Sequence, residues 1–208
     1  MSDINANIDD KENKTLLIAC GAVAKEIIAL NKLNGWNHLD ITCLPAIWHN
    51  TPDKIPQGVR SKIQENKDVY GNIVVVYGDC GTGGELDRVL EEEDVKRIDG
   101  VHCYAFFTGL GAFDQMHEDD ITCFYLTDYL VRHFDTLIME GMGIAKHPEL
   151  LPMYFGNYTK LVYLAQTEDQ ELQDLAKQAA GKIGLDYQYK FTGYGELSSF
   201  MSAINQEI

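Results

Sequence analysis

Asn72-Ile73-Val74-Val75-Val76-Tyr77-Gly78-Asp79-Cys80-Gly81-Thr82-Gly83-Gly84-Glu85 reads as a strand that runs into a glycine loop and then into a helix. The nearly continuous β-branched run is what a strand covered on both faces carries. Four glycines in the seven residues from Gly78 permit a tight turn and a close backbone approach. The helix follows over Glu85 to Glu93.

The same plan repeats on either side. Upstream, Thr15 to Cys20 is a short apolar run ending at Gly21. A helix follows over Val23 to Leu33, with Val23, Ile27, Ile28 and Leu30 near helical spacing. His38 to Pro45 reads as a strand, and Ile55 to Asn66 as a helix with Ile55, Val59 and Ile63 on one face. Downstream, Val95 to Phe107 is expected to hold a strand, and Thr122 to Gly141 to be mainly helical. A loop with Pro148 and Pro152 comes next. Lys160 to Gln166 reads as a strand, Asp169 to Ile183 as an amphipathic helix, Leu185 to Phe191 as a closing strand, and a last helix starts at Glu196. Alternating β and α elements imply an α/β, Rossmann-like layered fold with a mostly parallel sheet and helices on both faces. One domain over 15–208 and a pair of α/β lobes are both compatible with this pattern.

The chain of 208 residues is long enough to bury a substantial core, and its 45% hydrophobic and 24% charged residues are ordinary for a globular protein. Its net charge of −15, from 17 basic against 32 acidic residues, repels phosphate backbones and anionic lipid surfaces, so nucleic acid and membrane are not expected partners. Residues 1–14 are polar and charged without an apolar core, which reads as a disordered tail rather than a signal peptide. The apolar runs are of strand length, well short of a bilayer span. A cytoplasmic protein is expected, and its five cysteines then read as thiols, ligands or nucleophiles rather than bridges.

In open α/β sheets, ligands bind beyond the carboxyl ends of the strands. Cys20 ends the first strand, Cys80 lies in the glycine loop, and His102-Cys103 ends or follows the run from Val95. Cys20, Cys80 and Cys103 therefore make a candidate three-thiolate set for zinc, with His102 as a fourth ligand, although no two cysteines stand at finger spacing. Cys80 lies ahead of a helix N-terminus, which lowers a thiol pKa and favours thiolate. Gly21, Gly81, Thr82, Gly83 and Gly84 form a candidate cradle for a bound group, without a dinucleotide or P-loop signature. Asp79 and Glu85 flank the loop as candidate bases or orienters, and His147, in His147-Pro148-Glu149, is a second candidate base. The bland alternatives are a small buried cysteine in a glycine turn for Cys80 and core for Cys20 and Cys103, while Cys43, inside Ile41 to Leu44, and Cys123, at the start of an apolar stretch, are expected in the core and His133 is read as a satisfied or exposed helical histidine.

Cys20-Gly21-Ala22, Tyr77 to Gly84, His102-Cys103-Tyr104, His147-Pro148-Glu149-Leu150, Tyr154-Phe155-Gly156-Asn157-Tyr158 and Leu161 to Thr167 occur in an order that resembles the DUF1638 family, over roughly residues 15–200. The family's activity is unassigned. The resemblance implies an accessory or partner role beside corrinoid-dependent methyltransferase components, with any corrinoid carried by a partner protein, since the chain has no cobalamin-binding signature of its own.

Three functions are compatible with these residues. The first is a zinc-binding protein in which Cys20, Cys80 and Cys103 serve methyl or thiol transfer in one-carbon metabolism. The second is a metal-free enzyme or small-molecule binder that uses Cys80 as nucleophile, or the glycine loop as an anion site, with His102 or His147 as base. The third is an acidic accessory protein that docks a partner without catalysis.

Overall fold

A computed structural model describes residues 14–206, apart from the side chains of His117 and Asp119. The tail expected over residues 1–14 lies outside the described residues except for Lys14. The chain divides into two compact units, one of Met1–Cys103 with Ser198–Ile208 and one of Tyr104–Leu197.

The first unit holds four parallel strands, β1 (Thr15–Cys20), β2 (Leu39–Leu44), β3 (Asn72–Val76) and β4 (Lys96–Arg97), in the order β2-β1-β3-β4. Leu17 of β1 stands opposite Ile41 of β2 and Val74 of β3, which fixes the register of the three long strands. Helices α1 (Ala24–Asn34), α2 (Ile55–Asn66) and α3 (Glu85–Glu93) follow the first three strands. Leu16, Ile18, Val75 and Tyr77 pack with Ile55, Val59 and Ile63 of α2 and with Leu86 and Leu90 of α3. The intervening residues Leu17, Ala19, Val74 and Val76 point the opposite way and are buried as well. Both faces of the sheet are therefore covered, as the unbroken valine run requires.

The connection from β1 leads to a strand on one side and the next connection to a strand on the other. The order thus reverses between β1 and β3, the crevice where doubly wound sheets receive their ligands. Two close approaches shape that edge. A Cβ at Gly21 would lie 3.2 Å from the Leu44 carbonyl oxygen, and one at Gly78 3.1 Å from the Gly100 oxygen and 3.2 Å from the His102 Cα.

The second unit has its own parallel sheet, β5 (Cys123–Leu126), β6 (Lys160–Ala165) and β7 (Asp186–Phe191), in that order. Its helices are α4 (Cys103–Thr108, which begins at the boundary of the units), α5 (Leu110–Asp119), α6 (Asp128–Arg132), α7 (Leu151–Phe155) and α8 (Gln170–Ile183). A π turn spans Asp135–Glu140, and α9 (Gly195–Gln206) returns the chain to the first unit. Asp169 caps α8 by accepting from the Glu171 and Leu172 N–H groups, and Gly184 ends it at φ 73°. Leu172, Ala176, Ala179, Ala180 and Ile183 form its buried stripe against Leu126, Leu161 and Tyr163, while Tyr125, Val162 and Leu164 pack on the other face with Ala105 and Phe113.

The parallel, layered α/β expectation holds, realised as two sheets. Two elements differ from the sequence reading. The strand expected over Val95 to Phe107 is only Lys96–Arg97, and Cys103 to Thr108 is helical, because Ala105, Phe106 and Phe107 are buried on a helix. The helix expected over Thr122 to Gly141 begins with the strand Cys123–Leu126, which pairs with β6, and turns helical only after the Thr127 cap. Among the described residues no helix is long and apolar enough to cross a membrane.

Candidate functional site

Three of the five cysteines meet at the carboxyl edge of the first sheet. Cys20 is the last residue of β1, and the Ala22 N–H donates to its sulfur at 3.5 Å. Cys80 lies in the loop after β3. Its N–H donates to the Val101 carbonyl at 2.7 Å and the preceding Asp79 N–H to Gly100 at 3.0 Å. These two bonds, with no side chain at Gly78 to hold the segments apart, draw residues 100–103 against the glycine loop. Cys20 and Cys80 both pack against the core that contains Tyr77.

The electrostatics join the three thiols. Burial pushes Cys80 up to about 12, with a further rise from the Cys20 charge, against the opposing Cys103 and Gly78 N–H groups. Burial likewise raises Cys20 and, more strongly, Cys103, whose neighbours in the field are Cys80, Cys20 and Glu26. Glu26, buried in the first turn of α1, is a residue the sequence reading missed. Tyr77 is another: it is 1% exposed, and burial and the charges of Cys20, Cys80 and Cys103 push its phenol far above the ordinary range. The expectation of a depressed Cys80 pKa is corrected. The helix behind the loop starts only at Glu85, and desolvation outweighs the dipole, so all three groups are protonated thiols at neutral pH in the absence of a cation.

The glycine loop is braced from within. Asp79 accepts from Thr82 Oγ1 at 2.6 Å and from the N–H groups of Gly84 at 2.9 Å, Gly81 at 3.2 Å and Gly83 at 3.3 Å. Partial burial opposes ionisation of Asp79, and these four donors outweigh it and lower its pKa. The loop N–H groups expected to cradle an anion are therefore turned onto the protein's own carboxylate, and the oxygens expected to act as a base are engaged. Beside the loop a cleft of about 660 Å³, lined by Pro52, Gln57, Arg60, Gly81, Thr82 and Arg88 among others, is of a size that takes a small molecule.

Cys80 itself sits at φ 50°, in the left-handed region. A non-glycine residue there costs on the order of 1 kcal/mol, a strain that a purely packing cysteine would not need. Cys80→Gly is accordingly expected to be more stable than Cys80→Ala by about 1 kcal/mol in chemical denaturation of the metal-free protein. Equal stabilities would show that the strain is absent.

Other candidates fall elsewhere. His102 is half-buried next to Cys103 and against Gly78. His147 is exposed, pairs with Glu149 at 3.1 Å and belongs to the second unit, so the two candidate bases do not share a unit. Cys43, expected in the core, is exposed because β2 is the edge strand of its sheet. Cys123 is buried, as expected of core. Among the described residues no group of three or more His, Cys, Asp or Glu side chains is placed where it could hold a metal ion.

The second unit carries a polar cluster that the sequence reading did not single out. The Asp128 carboxyl group, 3% exposed, accepts from the Tyr163 hydroxyl at 2.7 Å, the Gln166 N–H at 2.9 Å and the Thr167 hydroxyl at 2.6 Å. Gln166 Oε1 in turn accepts from the Asp128 N–H at 2.8 Å. Every partner is satisfied within the cluster, which fits a brace between the ends of β5 and β6. Thr127-Asp128 ahead of a helix was its one signal in the sequence.

A family model described as "Protein of unknown function (DUF1638)" matches residues 43–201, about three quarters of the chain. Cys80, His102 and Cys103 fall within that span and Cys20 precedes it. No curated protein matches the sequence.

Proposed function

The chain belongs to the DUF1638 family, and from that premise we propose that it is a thiolate metal-binding protein that holds zinc through Cys20, Cys80 and Cys103. Its work in this reading is methyl transfer, in or alongside a corrinoid-dependent system whose corrinoid sits on a partner protein. The single observation that carries the reading is the convergence of three half-buried, mutually interacting thiols at the β1/β3 reversal. Three sulfur donors suit a soft or borderline cation, and the residues fit zinc in chemistry. On this reading the three donors would have to move to reach a common ion, because among the described residues no group of three His, Cys, Asp or Glu side chains is placed to hold one. When bound, zinc keeps a thiolate available at neutral pH, the chemistry that methyl transfer to or from sulfur requires.

The competing reading, Cys80 as an unassisted nucleophile, is disfavoured by the same electrostatics: a thiol raised to about 12 is not a thiolate at cellular pH. In the reducing cytosol, where this reading places the protein, all five cysteines stay free for their roles.

The test is proton release. Because the three thiols are protonated beforehand, addition of zinc to the reduced, tag-free full chain at pH 7 is expected to liberate about three protons per zinc, one for each thiol. Titration calorimetry in buffers of different ionisation enthalpy measures that number. Binding without proton release would assign the zinc to other ligands, and loaded protein that leaves methylcobalamin and a thiol acceptor unchanged would remove the methyl-transfer part.

A further inference from the structure

We infer that residues 45–54 form a strap across the thiol edge of the first unit, latched by Trp48, which has to lift before a molecule reaches Cys20 and Cys80. The strap acts in this way whatever the thiols bind.

The segment follows β2 as two short 3-10 turns, Ala46–Asn50 and Pro52–Lys54. It starts beside one thiol loop: a Cβ at Gly21, the residue after Cys20, would lie 3.5 Å from the Ala46 nitrogen and 3.7 Å from its Cβ. It ends beside the other: a Cβ at Gly81, the residue after Cys80, would lie 3.7 Å from Pro52 Cγ. Between the two, the Trp48 ring lies on Gly58 of α2, where a Cβ would collide with its Cζ3 and stand 2.9 Å from its Cη2. Trp48 is half-buried and packs on the same core as Cys20 and Cys80. Ala46 is buried, whereas Pro45, Ile47, His49 and Asn50 are exposed, so the segment has an inner and an outer side.

Glycine inside a helix weakens it, and at Gly58 the absent side chain makes the seat for the ring. Both thiol loops meet the segment through glycines, with no side chain to hook it. Its backbone closes turns within itself: the Trp48 N–H donates to Pro45 at 3.1 Å, the Thr51 N–H to Trp48 at 2.9 Å and the Lys54 N–H to Thr51 at 3.1 Å. A segment tied internally and seated by one aromatic ring opens as a unit without melting the sheet below it. Pro52 and Asp53 also line the cleft beside the glycine loop. The same segment therefore walls the cleft and covers the thiols.

The test is thiol labelling of the reduced, metal-free full chain with N-ethylmaleimide at one fixed pH, each cysteine being read by mass spectrometry. In Trp48→Ala and in Gly58→Ala, Cys20 and Cys80 are expected to react about 10- to 100-fold faster than in wild type. Cys43 should keep its rate, and Trp48→Phe should stay close to wild type. Gly58→Ala discriminates best, because alanine strengthens the helix and speeds the thiols only by unseating the ring. Hydrogen exchange of the wild type needs no variant: the Trp48, Thr51 and Lys54 amides are expected to exchange together, well ahead of those in β1 and β3. Three results overturn the strap: unchanged Cys20 and Cys80 rates in either variant, a rise accompanied by lost protection in β1 and β3, or strap amides that exchange only with those strands.

Discussion

Iodoacetamide is expected to modify Cys43 of the metal-free native protein first, and Cys80 about a thousandfold more slowly than an ordinary thiol at pH 7.5. Cys43 is exposed on an edge strand. The Cys80 thiol is lifted from 9.0 to about 12, and a three-unit rise reduces the thiolate fraction by about three powers of ten. The rate at Cys80 should climb about tenfold per pH unit until the fold gives way. Mass spectrometry of quenched digests reads each site separately. Rapid, selective labelling of Cys80 without metal would restore the unassisted nucleophile.

The same shift has a consequence for stability. A thiol whose folded pKa lies above its unfolded value stabilises the fold fully below the unfolded pKa, and loses that contribution as pH rises. Unfolding of the metal-free protein is therefore expected to become easier above about pH 8.5, by roughly 1 kcal/mol per pH unit for each raised thiol.

The largest loss of stability is expected from Asp128→Ala. The substitution removes the acceptor of the Tyr163 hydroxyl, the Gln166 N–H and the Thr167 hydroxyl at once. Stranding buried donors costs about 1–3 kcal/mol each, and water entering the cavity recovers part, so a loss of roughly 3–5 kcal/mol follows. Asp128→Asn keeps a carbonyl oxygen for two of the donors and should lose far less. Hydrogen exchange of the β6 amides measures the effect within the second unit. Unchanged protection in Asp128→Ala would show that the cluster does not brace the sheet.

Much of the first unit was legible in its sequence because its local signals agree. The valine run, the glycine punctuation and the amphipathic stretch after it all favour strand, loop and helix, and Ile55–Asn66 and Glu85–Glu93 stand where their periodicity put them. The meeting of Cys20, Cys80 and Cys103 was legible through one topological rule, that parallel strands present their carboxyl ends together. Cys103 reached that edge by another route, at the start of a helix. Tyr104 to Phe107 has the composition of a strand, and only the tertiary burial of Ala105, Phe106 and Phe107 in a helix overrides it. Cys123 to Leu126 is four residues long, too short for its period to separate strand from helix.

Side-chain environment was the least legible. Nothing in Tyr77-Gly78 announces a fully buried phenol, and Glu26 looks like any helix-surface glutamate until the helix is docked. The dipole argument for Cys80 failed for a related reason. Burial of the thiol outweighs the helix end that starts at Glu85, and the loop N–H groups of Gly81, Gly83 and Gly84 face Asp79.

The central claim is that the three thiols hold a metal, and elemental analysis of tag-free protein purified without oxygen tests it most directly, with wild type compared against Cys80→Ala and Cys103→Ala. The account predicts about one zinc per wild-type chain and its loss in both variants. Wild type that is free of metal, or metal that survives both substitutions, would contradict it.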